Sequence, residues 1–89
     1  MPYIKKENRA HFDEVIHKIS SNVTCEGDLN YIFTSLIHKE IEKKGLNYQT
    51  ANNLIGMLEC CKLELYRVIA APYEDIKKQE NGNVSELDK

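Results

Sequence analysis

Three stretches of the chain repeat their apolar residues in steps of three and four, the interval that stacks side chains along one face of a helix. The longest is NYQTANNLIGMLECCKLELYRVIAAP, where Ala51, Leu54, Leu58, Cys61, Leu65 and Val68 form a seam. Leu63 falls about half a turn from that seam, with Ile55 and Tyr66 to one side and Cys60 to the other. Such an apolar surface is wider than a single neighbouring helix covers. Nearer the start, Phe12, Val15, Ile16 and Ile19 mark a first helix over about 7–20. Leu29, Ile32, Phe33, Leu36, Ile37 and Ile41 mark a second, which ends at Lys44.

Punctuation residues fix the joints. Ser20-Ser21-Asn22 competes with the helical backbone for hydrogen bonds and predicts the end of helix one. Gly27-Asp28 opens helix two with Asp28 as its N-cap, and Lys43, Lys44 and Gly45 close it, with Glu40 and Lys44 paired on the wet side. The link Gly45-Leu46-Asn47 is so short that helix three must return antiparallel against helix two. Asn47 caps helix three, which spans about Tyr48 to Ala71 until Pro72 ends or kinks it, and Tyr73 to Ile76 allows one further turn. Gly56, inside helix three, suits the close approach of another backbone. The expectation is an all-α fold: an antiparallel pair of long helices with a shorter N-terminal helix packed across it. Tyr3 and Ile4 pack as an N-terminal arm, residues 1–78 form one domain, and residues 79–89 form a mobile tail.

Composition changes this picture in three ways. A chain of 89 residues makes one small domain that is marginal alone, which points to an oligomeric helical bundle with Ile55, Leu63 and Val68 at the boundary between copies. A net charge of -2 gives no diffuse cationic field, which argues against a DNA or RNA polymer as partner and leaves only a local basic pocket for a small anion. The opening MPYIKKENR has no apolar core of a signal segment and no run reaches membrane-spanning length, so the expected place is the cytoplasm, without membrane contact. Cys25, Cys60 and Cys61 include no Cys-x-x-Cys pair and are expected as reduced thiols. His11, His17 and His38 have no metal-ligand spacing, and nothing implies a cofactor. A thiol nucleophile at Cys60 or Cys61 would need a histidine from another helix and an oxyanion hole, neither of which is marked; the expectation is a non-enzyme.

The polar flank of helix three carries two readings. Asn52, Glu59, Lys62 and Tyr66 run along one line and Asn53, Glu64 and Arg67 along another, with Tyr31 and His38 available from helix two. One reading is a solvated face laced by the pairs Glu59–Lys62 and Glu64–Arg67. The other places these residues at a subunit boundary, where tyrosines stack on a nucleobase while lysine and arginine hold phosphate oxygens.

The segments MPYIKKENR, GDLNYIFTSLIHKEI, GLNYQTANNLIGMLECCKLELYR and APYEDIKKQENGNV resemble an uncharacterised family of short proteins from phages, prophages and bacteria. A second resemblance rests on two places. Tyr31-Ile32-Phe33-Thr34-Ser35-Leu36 is similar to the start of the first long helix of phage anti-CBASS sponge proteins, and Arg67-Val68-Ile69-Ala70-Ala71-Pro72 is similar to a later stretch of them. That likeness implies an oligomer that binds cyclic oligonucleotide immune signals between protomers without cleaving them; a related ligand is the cyclic ADP-ribose type signal of Thoeris defence. The expected function is sequestration of such a signal by a homo-oligomer, with Tyr31, Lys62, Tyr66 and Arg67 as contacts. The alternative is a helical adaptor that binds a host or phage protein through the same apolar surface.

Overall fold

A computed structural model describes residues 4–88. Among them there is no strand: the chain folds into α1 (Ala10–Asn22), α2 (Glu26–Lys44), α3 (Tyr48–Leu65) and α4 (Ala71–Asn81), with a π-helical turn, Tyr66–Ala70, joining the last two. Short 3-10 turns at Lys6–Asn8 and Glu86–Asp88 flank them. The chain divides into two compact units, one up to Ile55 and one from Gly56 onward. The arm expected from Tyr3 lies outside the described residues, and Ile4 is exposed.

In the first unit, α1 outlasts its expected stop. Ser21 Oγ donates to the His17 carbonyl at 2.9 Å and Asn22 Nδ2 to the Lys18 carbonyl at 3.0 Å. The residues expected to break the helix instead turn their side chains back to carbonyls four residues earlier, a bond compatible with helical backbone, and the helix carries on to Asn22. The start of α2 also differs from expectation. Asp28 is its third residue, and its carboxylate reaches back to accept from the Thr24 amide at 2.8 Å and the Thr24 hydroxyl at 3.0 Å. Cys25, extended, takes the N-cap position, so the carboxylate secures the entry as the third residue of a capping box does. At the far end Gly45 has φ +90° and donates to the Ile41 carbonyl at 2.7 Å, a backbone state that favours glycine. Glu40 holds Lys44 at 3.3 Å and Lys43 at 3.4 Å, and these ammonium groups, Lys44 first, keep its carboxyl below the usual range. Asn47 Oδ1 accepts the Thr50 amide at 2.9 Å, the cap read from the sequence.

The second unit corrects the role of Pro72. The helix does not end there: Pro72 sits in the first turn of α4, which runs on to Asn81, past the single extra turn expected. A proline inside an α-helix loses one amide and drives its ring against the carbonyl four residues back. Here the turn before it is widened. The Ala71 amide bonds the Tyr66 carbonyl, five residues back, and this π spacing absorbs the proline without a break. Gly82, with φ +86°, closes α4. Asp88 then accepts the Val84 and Ser85 amides at 2.9 and 3.1 Å, and these donors, Val84 first, lower its carboxyl pKa.

No apolar side chain among the described residues is buried; Thr50, 8% exposed, is the one buried residue. The seam of helix three is expected to be covered, yet Leu58, Leu65 and Val68 are all exposed. Their spacing makes a face, but the chain by itself does not hide it.

Candidate functional site

Tyr66 and Arg67 lie in the π-helical turn, with Lys62 one turn earlier at the end of α3. All three belong to the second unit. Arg67 Nη2 donates to both oxygens of Glu64, at 2.9 and 3.1 Å, and Lys62 Nζ lies 3.0 Å from Glu59. Both ion pairs of the solvated-face reading are therefore formed. Glu74 accepts from the Tyr66 hydroxyl; that hydrogen bond, reinforced by the negative charges of Glu74 and Asp75, raises the phenol above its ordinary pKa.

The π turn explains why Tyr66 and Glu74 meet. Eight residues of plain α-helix would leave them well over 60° apart in azimuth, but one residue is absorbed in the widened turn and the remainder amounts to about two α turns. Farther along α4, Lys77 lies 5.5 Å from the Tyr73 ring centroid and 3.0 Å from Glu80. Aromatic rings and cations thus alternate along this stretch, and Lys62, Arg67 and Lys77 are each matched by a carboxylate. A phosphate arriving here has to displace Glu59 or Glu64. Arg67 is suited to that exchange, because its pair with Glu64 engages one end of a planar fork of donors.

Tyr31 belongs to the first unit, so the four residues proposed as ligand contacts are divided between two units. It lines a cavity of about 390 Å³ with Ile19, Asn22, Val23, Asp28 and Ile32, where α1 gives way to α2. The Thr24 amide, and after it the Thr24 hydroxyl, lower the pKa of Asp28 on this wall. Of the residues assigned to contacts between copies, Ile55 closes the first unit while Leu63 and Val68 stand in the second; all three are exposed.

One feature escapes the sequence reading. A second cavity, about 410 Å³, is lined by Ile16, Ile19, Ser20 and Val23 from α1 and its end and by Leu29, Ile32, Phe33 and Leu36 from α2. The signal is present in the two earlier apolar stripes, but their spacing alone does not reveal surplus surface outside helix three. Among the described residues, no group of three or more His, Cys, Asp or Glu is placed to hold a metal ion, and no helix is long and apolar enough to cross a membrane.

Residues 1–84 match the family model described as Domain of unknown function (DUF6899). The chain belongs to that family. No curated protein and no solved structure matches it. Membership in DUF6899 thus supports the resemblance to an uncharacterised family along nearly the full chain, and it brings no activity, ligand or partner with it.

Proposed function

We propose that this DUF6899 chain is a non-catalytic, phage-type accessory protein that assembles with copies of itself and holds a nucleotide signal, of cyclic oligonucleotide or cyclic ADP-ribose type, between protomers, withdrawing it from host defence. The observation that carries the reading is the absence of any buried apolar side chain among the described residues. A foldable helical chain must bury its apolar stripes somewhere, since removing that surface from water is the largest driving force for folding. Copies of the chain supply the cover, through α3 with Ile55, Leu63 and Val68 and with α2 and α3 running antiparallel. The nucleotide is assigned to the flank of the π turn, which holds Tyr66 and Arg67 with Lys62 one turn earlier and to which Tyr31 of another protomer adds a ring. Single π turns recur at functional sites, which favours this flank over the rest of the rod.

A second reading, a helical adaptor for a host or phage protein, is favoured by the pairing of Lys62 with Glu59 and of Arg67 with Glu64, which leaves the flank without surplus positive charge. Calorimetry against cyclic dinucleotides, cyclic trinucleotides and cyclic ADP-ribose isomers separates the two. The sequestration reading expects heat from one class, abolished by Arg67→Ala, with the ligand recovered intact. A flat response across the set, alongside a stable complex with a protein from infected cells, establishes the adaptor instead. A single-chain mass in light scattering at every concentration removes the assembly on which the first reading stands.

A further inference from the structure

The groove between α1 and α2 is a second interaction surface. We propose that two copies close face to face through it, so that α1 and α2 of each copy form one four-helix core. This rests on the reading that the chain self-associates, and it assigns to that process a surface separate from Ile55, Leu63 and Val68.

Both helices of the groove belong to the first unit and are joined by only three residues, Val23 to Cys25. Their apolar stripes line one cavity, and of its apolar lining only Ile19, Val23 and Ile32, near the joint, are half-buried. Toward the open end Ile16 is 58%, Phe33 53% and Leu36 58% exposed, and the stripe continues to Phe12 and Val15, also more than half exposed. Counting roughly 100 Å² for each of these five half-exposed side chains and somewhat less for Leu29, the apolar patch comes to about 600 Å². That stands at the top of the range for patches on ordinary monomers. It is about three-quarters of the roughly 800 Å² that each partner contributes to a standard stable interface, and polar rim residues would supply the remainder.

The size of the patch also selects the occupant. A small apolar molecule filling the cavity of about 410 Å³ would cover its lining and leave Phe12 and Val15 wet. A second copy of the same groove covers the full stripe. Within one copy α1 and α2 leave this groove open between them instead of packing along each other, and a second copy related by a two-fold axis can fill it with its own apolar stripes.

The test uses the full chain with Ile16→Glu and Phe33→Glu, and with Leu63→Glu as the variant for the other surface. Light scattering after size exclusion should show the mass of both groove variants reduced about twofold from wild type, with helical circular dichroism retained. In wild type, amides of α1 and α2 should gain hydrogen-exchange protection as concentration rises. If the groove variants lose helicity, this exchange measurement decides alone. A groove-variant mass equal to wild type, with Leu63→Glu alone lowering it, overturns the groove and leaves self-association standing. Wild type monomeric at all concentrations overturns both readings. A monomer whose α1 and α2 amides are protected at every concentration means that the chain covers its own groove, which also overturns the proposal.

Discussion

Replacing Gly56 by alanine tests how the longest helix meets its surroundings. Gly56 lies inside α3, and a Cβ built on it meets nothing within 4 Å. The added methyl therefore costs no packing within the chain, while alanine is favoured over glycine in a helix interior by about 0.8–1.0 kcal/mol, chiefly because glycine loses more backbone freedom on folding. For a domain of this size about 1 kcal/mol raises the melting temperature by roughly 4–8 °C. Gly56→Ala should show that rise when ellipticity at 222 nm is followed on heating at the lowest workable concentration. The sequence alone suggests another backbone passing close to this glycine; among the described residues none does, which leaves a partner as the source to test. A rise at low concentration that vanishes as concentration increases would place a partner's backbone against Gly56. A lower melting temperature at every concentration would refute the reasoning, since it would require a clash that the described residues do not contain.

Three further outcomes follow from local contacts. Asn47→Ala removes the acceptor of the Thr50 amide and should destabilise the chain by about 1 kcal/mol in urea unfolding, with Asn47→Ser recovering most of it. The Asp28 carboxylate is held low by the Thr24 amide first, so its contribution is present in full above the pKa of the unfolded carboxyl and is lost as pH falls through the lower folded value. Exchange of the Thr24 amide should accelerate across that acidic window, and Asp28→Asn should flatten the pH dependence. Tyr66 behaves in the opposite sense: its raised phenol contributes below the unfolded phenol pKa, and the contribution is lost as pH rises through the folded one. Glu74→Gln should return the Tyr66 titration, followed by its ring carbon resonances, toward the ordinary phenol value; no movement would show that the two side chains do not meet in solution.

What can be read from the sequence is the local chemistry of joints. Gly45 ends α2 and Asn47 starts α3 because each solves a problem confined to one turn, a positive φ in one case and an unpaired amide in the other. Asp28 is recognisable as an acceptor at the start of α2 but not its donors, since the choice between capping forward and reaching back to Thr24 depends on how the preceding link folds. Ser21 and Asn22 look like breakers because their side chains can bond the backbone; the same capacity, directed to carbonyls four residues back, extends α1 instead. Pro72 signals a fault in the helix, but the wide turn that absorbs it leaves no composition signature. Periodicity also places Leu58 and Leu65 seven residues apart on one face of α3, while Val68 falls in the π turn, where the helical register changes. It contains no information about what lies opposite that face, and for this chain the neighbour is not supplied by the chain itself.

The π turn leaves a residue of slack between two α-helical stretches. Removing one residue elsewhere between Tyr48 and Asn81 rotates everything downstream by roughly 100° and scrambles which side chains line up. Within Tyr66–Ala70, and with Pro72 replaced, the same deletion would tighten the wide turn to an ordinary one and leave both flanking stretches in their former alignment. A shortened sequence is therefore tolerated at this one address once the proline is gone, and a scan of single deletions in a Pro72→Ala background should find its minimum of damage there.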